Sequence, residues 1–329
     1  MNKVFWIDGG AGRVIAAIPA LIKYSRLNPN KDWVVLVAGF DFLYWGIPEL
    51  QDRTYGLDTK GLFDNIVSKA DVVISPEPYR NPAYWRQEIS LSQAFDQEIN
   101  NTTDHSDLEL PLFNFNKAET MVSLQTIAEL KQRQKKNITV VIQPFGRGAQ
   151  PIARNENNQT TDVDDEESRS LNAAAYLSLA KKLSLKYNLI FFGEPQFQLA
   201  QDTYASNYTC DLRQWASLIK ESDYFVGVDS VGQHMARAVG TPGTVIFGST
   251  FPINTSYPDY FQIIEKPGIK KYSPIRIAGL DTTLSNRIND KLMEFDEKEI
   301  GEIFKKICED IDKRSEEHTS ELQSRLHLV

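Results

Sequence analysis

The chain of 329 residues carries a formal net charge of −8 and contains 41% hydrophobic and 24% charged residues. A chain of this length forms one large or two ordinary domains and can bury a core without disulfides or metal ions. The negative charge argues against a nucleic-acid partner, and the two cysteines, Cys210 and Cys308, do not make a disulfide framework. Neither a signal peptide nor a bilayer-spanning apolar run is visible, so we expect a cytoplasmic protein with at most peripheral membrane contact.

Short runs rich in Val, Ile and Phe alternate with longer amphipathic segments along the chain. Continuous apolar runs suit strands that are buried on both faces of a parallel sheet. Their alternation with helices is typical of a doubly wound α/β fold. The predicted strands are 4–7, 33–37, 72–74, 139–142, 189–192, 224–228 and 244–247, and the predicted helices are 15–27, 173–187, 212–221, 233–239 and 297–311.

Polar stretches suggest how the chain is divided. The basic segment 131–137 precedes a new apolar strand and is typical of a linker, so we place a domain boundary there. A second polar segment, 154–167, favours a solvated surface loop over a metal site. Residues 314–329 resemble a translated sequencing adapter and are excluded from fold reasoning. The predicted divisions are a first domain over 1–137, a second over 138–280, a crossover and C-terminal helix over 281–313, and the adapter-like tail over 314–329.

A glycine-rich loop, Asp-Gly-Gly-Ala-Gly-Arg-Val-Ile over residues 8–15, follows the first predicted strand and opens a helix. Glycines allow a close backbone approach to a ligand, and a helix N-terminus attracts an anion. Counted from Gly10 and Gly12, the third small position of a dinucleotide fingerprint falls on Ile15, so that fingerprint fails. A tight turn without a ligand remains the alternative. We expect Pro19 to kink the following helix or to reset its start.

The most informative stretch covers residues 222–250. One predicted strand ends in a polar turn that opens a helix, and the next strand ends in Phe-Gly-Ser-Thr. Ligands of open α/β sheets bind at the carboxyl ends of adjacent strands, and a serine with the free N–H groups of a helix start can hold a diphosphate. The candidate binding residues here are Asp229, Ser230, Gly232, Gln233, His234, Gly248 and Thr250.

This stretch resembles the nucleotide-binding segment of the heptosyltransferase-like glycosyltransferases of glycosyltransferase family 9. That segment has the pattern Asp-Ser/Thr-Gly-x-x-His-Leu-Ala-Ala-Ala-x-Gly-x-Pro, followed by an apolar strand and Phe-Gly-x-Thr. Weaker similarities lie at 12–21, 141–146, 191–194 and 211–219, so the resemblance covers most of the chain. The matching residues are Asp229, Ser230, His234, Ala236, Ala238, Gly240, Pro242, Phe247, Gly248 and Thr250.

The resemblance implies a GT-B fold, in which two Rossmann-like doubly wound domains face each other across a cleft. The first domain would hold a glycan or glycolipid acceptor and the second a nucleoside-diphosphate sugar such as ADP-heptose. The implied reaction moves a heptose or similar hexose to an acceptor hydroxyl without a metal or a further cofactor. Arg147 or Arg169 would offset the charge of the leaving diphosphate. Gly146, Gly193 and Glu194, in loops that match the family, complete the predicted nucleotide site.

Two departures from the family pattern affect the implied chemistry. The family's catalytic Asp falls on Arg13, while Asp8 lies nearby at the strand end, and we take these two as the candidate catalytic residues. The glycine that should follow Asp-Ser is replaced by Val231. A catalytically inactive sugar-nucleotide-binding module therefore remains an alternative, as does a GT-B-fold sugar-nucleotide epimerase.

Several single residues admit a structural and a functional interpretation. His234 would contact the donor or form a structural hydrogen bond, and Asp229 would bind ligand, cap the next helix, or do both. His105 is expected in a solvated loop or cap. The aromatic residues that could stack on a sugar, but that more commonly pack in a core, are Tyr44, Trp45, Tyr84 and Trp85.

Overall fold

Two parallel sheets and one antiparallel hairpin form the strand structure of the described chain. The computed structural model describes residues 3–29, 31–146, 148–158, 160–165, 169–193, 203–205, 211–267 and 292–326, with the backbone alone for 203–205 and 317–326.

The first sheet has four parallel strands; its two central strands are largely buried, whereas its edge strands are partly exposed. In chain order its strands are β1 (Lys3–Ile7), β2 (Trp33–Val37), β3 (Thr54–Gly56) and β4 (Val72–Ile74), and they lie in the order β3-β2-β1-β4. The α-helices of this half are α1 (Ala11–Leu27), α2 (Leu62–Asn65), α3 (Pro82–Trp85) and α4 (Leu91–Asn100), with 3-10 turns at Asp41–Tyr44, Val67–Lys69 and Pro78–Arg80.

Helix α1 follows β1 directly and packs along α4. Gly9 makes the turn between β1 and α1. Its φ is +94°, a backbone conformation that is strained for any residue with a side chain. The helix then runs without interruption from Ala11 to Leu27, so Pro19 does not reset its start as the sequence led us to expect. Helix α4 begins with a capping box in which Ser90 and Gln93 bond to each other's backbone N–H groups.

The second half contains a six-stranded parallel sheet and the hairpin. Its strands are β5 (Thr139–Gln143), β6 (Ala149–Arg154), β7 (Thr160–Asp165), β8 (Asn188–Phe191), β9 (Thr203–Ala205), β10 (Tyr224–Val228), β11 (Gly243–Phe247) and β12 (Gln262–Glu265). Its helices are α5 (Lys117–Gln134), α6 (Ala173–Lys186), α7 (Leu212–Lys220), α8 (Val231–Val239), α9 (Pro252–Thr255) and α10 (Glu297–Leu326). The sheet order is β12-β11-β10-β5-β8-β9, and β6 pairs only with β7.

Both sheets reverse their strand order next to their own first strand. In the second sheet the reversal lies between β5 and β10, and in the first it lies between β1 and β4. A doubly wound sheet binds its ligand beyond the carboxyl ends of the strands at this point. The predicted doubly wound α/β class is confirmed for both sheets, and the two reversal points locate the candidate sites.

The seven strands predicted from the sequence are all present, with ends that differ by at most one residue. The strands that the sequence did not predict are short or polar. The polar segment 154–167 is not simply a solvated loop, because Thr160–Asp165 pairs as β7 with β6. Most of the predicted crossover, residues 281–291, lies outside the described residues.

The two halves share a hydrophobic core. One cluster of buried side chains joins Ile15 of α1 to Met235 of α8, and α1 contacts α8 directly. Helix α5 packs on α7, where Ser123 Oγ donates to Ser217 Oγ at 2.7 Å. These contacts place α5 against the second half and favour a boundary ahead of Lys117, whereas the boundary near 137 stays a prediction.

The C-terminal helix is longer than predicted. It continues from Glu297 to Leu326, through the adapter-like residues. Arg314 Nε donates to Asp310 Oδ2 at 2.8 Å, and its Nη2 donates to the Tyr260 carbonyl at 3.1 Å. None of the helices in the described part of the chain is both long and apolar enough to cross a membrane.

Arg213 of α7 fastens the two halves together. Its guanidinium is buried and makes a bidentate pair with Glu119, at 2.6 and 3.0 Å. The same group donates to the backbone carbonyls of Phe42, Trp45 and Asn114 at 3.3, 3.0 and 2.6 Å. The hydrogen bonds from Arg213 hold the pKa of Glu119 below its usual range.

Replacing Arg213 with Met should lower the free energy of unfolding by about 3 kcal/mol, because it leaves a largely buried carboxylate and three carbonyls without their donor. Urea denaturation measures the effect. The matched control is Arg86→Met, which breaks an exposed pair with Glu88 and should leave stability unchanged. Equal stability of the two variants would show that Arg213 does not fasten the halves.

Candidate active site

Asp8 and Arg13 meet at the reversal point of the first sheet, beyond the carboxyl ends of β1 and β4. Arg13 Nη2 lies 3.0 Å from Asp8 Oδ1 and donates to the Pro76 carbonyl at 2.7 Å. Its Nη1 lies 3.2 Å from both carboxylate oxygens of Glu77. The two predicted catalytic residues are therefore joined, and Glu77 from the loop after β4 completes the cluster.

The side chains of this cluster differ in how far they are exposed to solvent, and this difference limits what each can do. The side chain of Arg13 is 6% exposed, whereas that of Asp8 is 46% exposed with its Oδ1 buried against the guanidinium. Arg13 also lies over the rings of Tyr79 and Phe95, 5.2 and 5.7 Å from their centroids. Arg13 can therefore orient a neighbour, while Asp8 can reach a molecule in the cleft.

A third carboxyl group stands behind the cluster. Glu98 Oε2 accepts the backbone N–H of Glu77 at 2.6 Å. Burial raises the pKa of Glu98, and the bond from the Glu77 N–H opposes that rise. Our reading of the sequence missed both acids. Glu77 follows β4 and Glu98 lies in α4, and they come beside Asp8 only through the order of the strands in the sheet, which the sequence does not give.

In the second half, Asp229 joins the loops that follow β10 and β11. Its carboxylate is buried and accepts Gln233 Nε2 at 2.9 Å and Thr250 Oγ1 at 2.8 Å. Burial raises the pKa of Asp229, whereas nearby Arg169 and the bonds it accepts, including one from Thr255, lower it. The side chain of Asp229 thus positions the two loops. The N-cap residue of α8 is Ser230, which follows Asp229.

The start of α8 is arranged to receive an anion. Ser230 is the N-cap in an extended conformation, and its own side chain caps none of the helix amides. Gln143 at the end of β5 fixes this turn, since its Oε1 accepts Gly232 N–H at 2.8 Å and its Nε2 donates to Ser230 Oγ at 3.3 Å. Gln143 was missed as a site residue although it lies in the strand–glycine segment that resembles the family.

Arg169 and Gly146 border the same turn. Arg169 Nη1 donates to the Asp229 carbonyl at 3.2 Å, which brings a positive charge next to Ser230. The Gly146 N–H is bound to Ser170 Oγ at 2.8 Å, and a Cβ on Gly146 would stand 3.6 Å from that oxygen and 3.9 Å from Ser230 Oγ. Gly146 thus leaves room beside Ser230. The other two predicted members, Arg147 and Glu194, lie outside the described residues.

Three other predicted glycines are required by the packing of the protein itself. A Cβ on Gly193 would stand 2.4 Å from the ring of Phe191, and one on Gly248 would stand 2.0 Å from the Leu292 carbonyl oxygen. A Cβ on Gly232 would stand 2.2 Å from the Gln143 amide oxygen. Packing alone accounts for these glycines, and their contact with a ligand stays a prediction.

His234 connects the two candidate sites. Its Nδ1 lies 3.0 Å from the Tyr257 hydroxyl, and the opposite edge of the ring faces Gly12 in the first glycine loop. A Cβ on Gly12 would stand 2.8 Å from His234 Cδ2 and 3.8 Å from Val231 Cα, so the first turns of α1 and α8 touch. Burial, with a smaller contribution from nearby Arg169, lowers the pKa of His234 to about 4.

His105 belongs to a buried ion network. Its Nδ1 lies 2.7 Å from Asp96 Oδ2, which also accepts Lys23 Nζ at 3.1 Å. Only 9% of the His105 side chain is exposed, so the expectation of a solvated loop or cap is wrong. The reason is that Asp96 is fully buried between α1 and α4 and needs cationic or N–H partners there.

The aromatic residues divide between core and surface. Tyr44 and Tyr84 are fully buried, and the Tyr44 hydroxyl donates to the Val14 carbonyl at 2.8 Å. Trp85 is partly buried with its Nε1 bound to the Tyr79 carbonyl, while Trp45 is 58% exposed. Core packing therefore explains the two tyrosines, and Trp45 is the exposed member that can meet a sugar.

Across the described residues, no three or more His, Cys, Asp or Glu side chains are grouped so that they could hold a metal ion.

The two sheets and facing loops define a GT-B-type α/β protein. A glycosyltransferase family 9 protein from Veillonella parvula matches at 14% identity, covering 80% of this chain and 86% of its own, with a TM-score of 0.60. Heptosyltransferase TibC of enterotoxigenic E. coli, in complex with ADP-D-β-D-heptose, matches at 11% identity over 94% of this chain and 76% of its own, with a TM-score of 0.57. The E. coli ADP-heptose heptosyltransferase II gives 13% identity, 93% and 99% coverage and a TM-score of 0.52. The predicted GT-B fold is thus confirmed.

The family resemblance is confirmed as well. Residues 209–264 match the model of glycosyltransferase family 9 (heptosyltransferase), and this segment contains β10, α8 and β11 together with the Asp229 and Ser230 turn. Comparison with curated protein sequences gives no match. The chain is heptosyltransferase-like in its fold and in this segment.

The contact between Gly12 and His234 predicts that alanine at position 12 destabilises the protein, although alanine in a helix is usually more stable than glycine. Gly12→Ala should lower the free energy of unfolding by about 1–3 kcal/mol, because the methyl group overlaps a buried ring that Tyr257 holds in place. The matched control is Gly301→Ala in α10, where a Cβ meets no atom within 4 Å and should gain up to about 1 kcal/mol. Urea denaturation of both variants, and of Gly12→Ala combined with His234→Ala, distinguishes overlap from helix propensity. A stabilising Gly12→Ala would contradict the contact.

The lowered pKa of His234 predicts how stability depends on pH. Above pH 6.5 the imidazole is neutral in the folded and the unfolded chain, so it contributes nothing. Below pH 6.5 the unfolded chain binds a proton that the folded chain excludes until about pH 4, so stability falls by about 3 kcal/mol over that interval.

His234→Gln removes this titration and should lose less stability than the wild type between pH 7 and pH 4. The measurement is urea unfolding of both proteins at several pH values, which cancels the titrations that they share. Parallel pH curves for the two proteins would sink the assignment of a neutral, buried imidazole.

Proposed function

We propose that the chain is a glycosyltransferase that moves a heptose or similar hexose from a nucleoside-diphosphate sugar to an acceptor hydroxyl. The observation that carries the proposal is the turn after β10, where Ser230, the first turn of α8 and Arg169 come together at a sheet reversal point. The fold and the matched family segment agree with that chemistry.

The donor diphosphate would lie over the start of α8. Helix N–H groups carry a partial positive charge, and a guanidinium forms charge-assisted hydrogen bonds to phosphate oxygens. Arg169 is held beside Ser230 by its bond to the Asp229 carbonyl. Because TibC has been solved with ADP-D-β-D-heptose, an adenine nucleotide is the first donor to test. Arg169 and the helix amides would take the place of a divalent ion, which makes the reaction metal-independent.

The acceptor would bind on the opposite wall, where Asp8 is the exposed carboxylate. In the transfer step the acceptor oxygen forms a bond to the anomeric carbon while the bond from that carbon to the diphosphate oxygen breaks. Asp8 takes the acceptor proton, and the electron pair of the broken bond stays on the nucleoside diphosphate. Arg13 orients Asp8 through the 3.0 Å ion pair but is too deeply buried to meet the sugar.

A catalytically inactive nucleotide-binding module is the second candidate, and one observation favours it. Arg13 stands where the family has its catalytic Asp, and its guanidinium is already engaged by Asp8, Glu77 and the Pro76 carbonyl. Such a module would bind the donor without consuming it, so binding and turnover must be measured separately.

Calorimetry with ADP, UDP, GDP and their sugar nucleotides, in the presence of EDTA, tests the proposal. We expect one nucleoside diphosphate to bind, and Arg169→Gln to weaken its binding about tenfold or more through loss of a charge-assisted bond. Arg86→Gln, an exposed arginine in the first half, serves as the control. Asp8→Asn should keep donor affinity but reduce the rate of sugar-nucleotide consumption about 10²–10⁴-fold.

Each outcome points to one interpretation. Binding without consumption by the wild type supports the inactive module. Binding that requires a divalent ion contradicts metal independence, and unchanged turnover in Asp8→Asn removes Asp8 as the base. An absence of binding by every compound would remove the proposed function altogether.

A further inference from the structure

The hairpin formed by β6 and β7 begins and ends beside the turn proposed to hold the diphosphate. Its first strand, β6, begins three residues after Gly146, and its second strand, β7, ends four residues before Arg169. Its last pairing joins Ala149 to Asp165, and Gly148 makes room for that carboxylate, since a Cβ there would stand 2.5 Å from Asp165 Oδ1. The base of the hairpin is therefore part of the wall of this site.

A single carboxylate oxygen at that base organises both edges of the site. Asp165 Oδ2 accepts the Ser170 hydroxyl at 2.5 Å, the Ser170 N–H at 2.9 Å and the Arg169 N–H at 3.3 Å. Ser170 Oγ in turn accepts the Gly146 N–H at 2.8 Å. The loop after β5 and the backbone of Arg169 are thus tied to the same anchor.

We infer that Asp165 is a positioning residue for donor binding, and that the hairpin is the element that delivers it. The inference rests on the proposed function. Asp165 is itself negative and would repel a diphosphate, but hydrogen bonds to Ser170 and to the Arg169 N–H occupy Oδ2. Its effect on the ligand passes through the guanidinium of Arg169 and the shape of the Gly146 loop. The polar segment 154–167, which contains β7, thereby contributes to the specificity for phosphate.

The test compares binding of the nucleoside diphosphate with binding of the matching nucleoside, which lacks phosphates. Asp165→Ala should weaken the diphosphate about tenfold and leave the nucleoside within about twofold, because only the phosphate wall loses its anchor. Asp165→Asn keeps an acceptor oxygen and should restore most of the affinity. The matched control is Asp164→Ala, since Asp164 is the exposed neighbour on the same strand.

A double-mutant cycle tests whether Asp165 acts through Arg169. Asp165→Ala should add little to the loss already caused by Arg169→Gln, because residues that act through one contact are not additive. Where Asp165→Ala fails to fold, Ser170→Ala carries the test, since it removes the hydroxyl that links Asp165 to Gly146 but keeps the backbone N–H bonds to Asp165, and it should also weaken the diphosphate selectively.

The failure of this inference is distinguishable from failure of the proposed function. If the wild type binds a diphosphate and Arg169→Gln loses it, while Asp165→Ala and Ser170→Ala bind as the wild type does, only the role of Asp165 is overturned. Equal weakening of nucleoside and diphosphate would likewise overturn it, because it would mark a general structural role. If the wild type binds no diphosphate, both proposals fall.

Discussion

The contact between Gly12 and His234 brings the two halves of the site together. Because Gly12 has no side chain, the imidazole reaches the first turn of α1, while Tyr257 holds the other side of the ring. The imidazole is buried and neutral, so the contact avoids the cost of an unpaired ion between two helices. The first turns of α1 and α8, which begin at the two reversal points, therefore meet along one seam.

Buried polar contacts away from this seam restrict how far the halves can separate. Arg213 binds three backbone carbonyls and Glu119, and Asn254 Nδ2 donates to the carbonyls of Tyr84 and Ile89 at 2.9 and 3.0 Å. Each such hydrogen bond contributes about 1 kcal/mol net. A conformation with the halves apart loses the bonds to Phe42, Trp45, Tyr84 and Ile89 together, whereas the Arg213–Glu119 pair joins α7 to α5 within the second half. These bonds between the halves therefore hold the loops in their facing arrangement.

The sequence was sufficient for seven of the parallel strands and for the sheet class, because buried parallel strands are continuous apolar runs. It was insufficient for the direction of side chains at the strand ends. Asp229 and Gly248 fit a ligand-binding motif, but Asp229 turns inward to Thr250, and Gly248 lies against Leu292, 44 residues further along the chain. The β6–β7 hairpin escaped prediction because both of its faces are largely polar, so no alternation of apolar residues marks it.

The two walls of the seam present different charged groups, and the proposed transfer depends on this difference. On the first wall Arg13 is outnumbered by Asp8, Glu77 and the more deeply placed Glu98. On the second wall the carboxylates of Asp165 and Asp229 accept hydrogen bonds from the protein, and Arg169 lies beside Ser230 at the start of α8. In the proposed reaction a proton is removed at the first wall and a diphosphate is released at the second, so a carboxylate is needed at one and an arginine with helix N–H groups at the other. Asp8 at the end of β1 would then supply the carboxylate that the family pattern has at the position of Arg13.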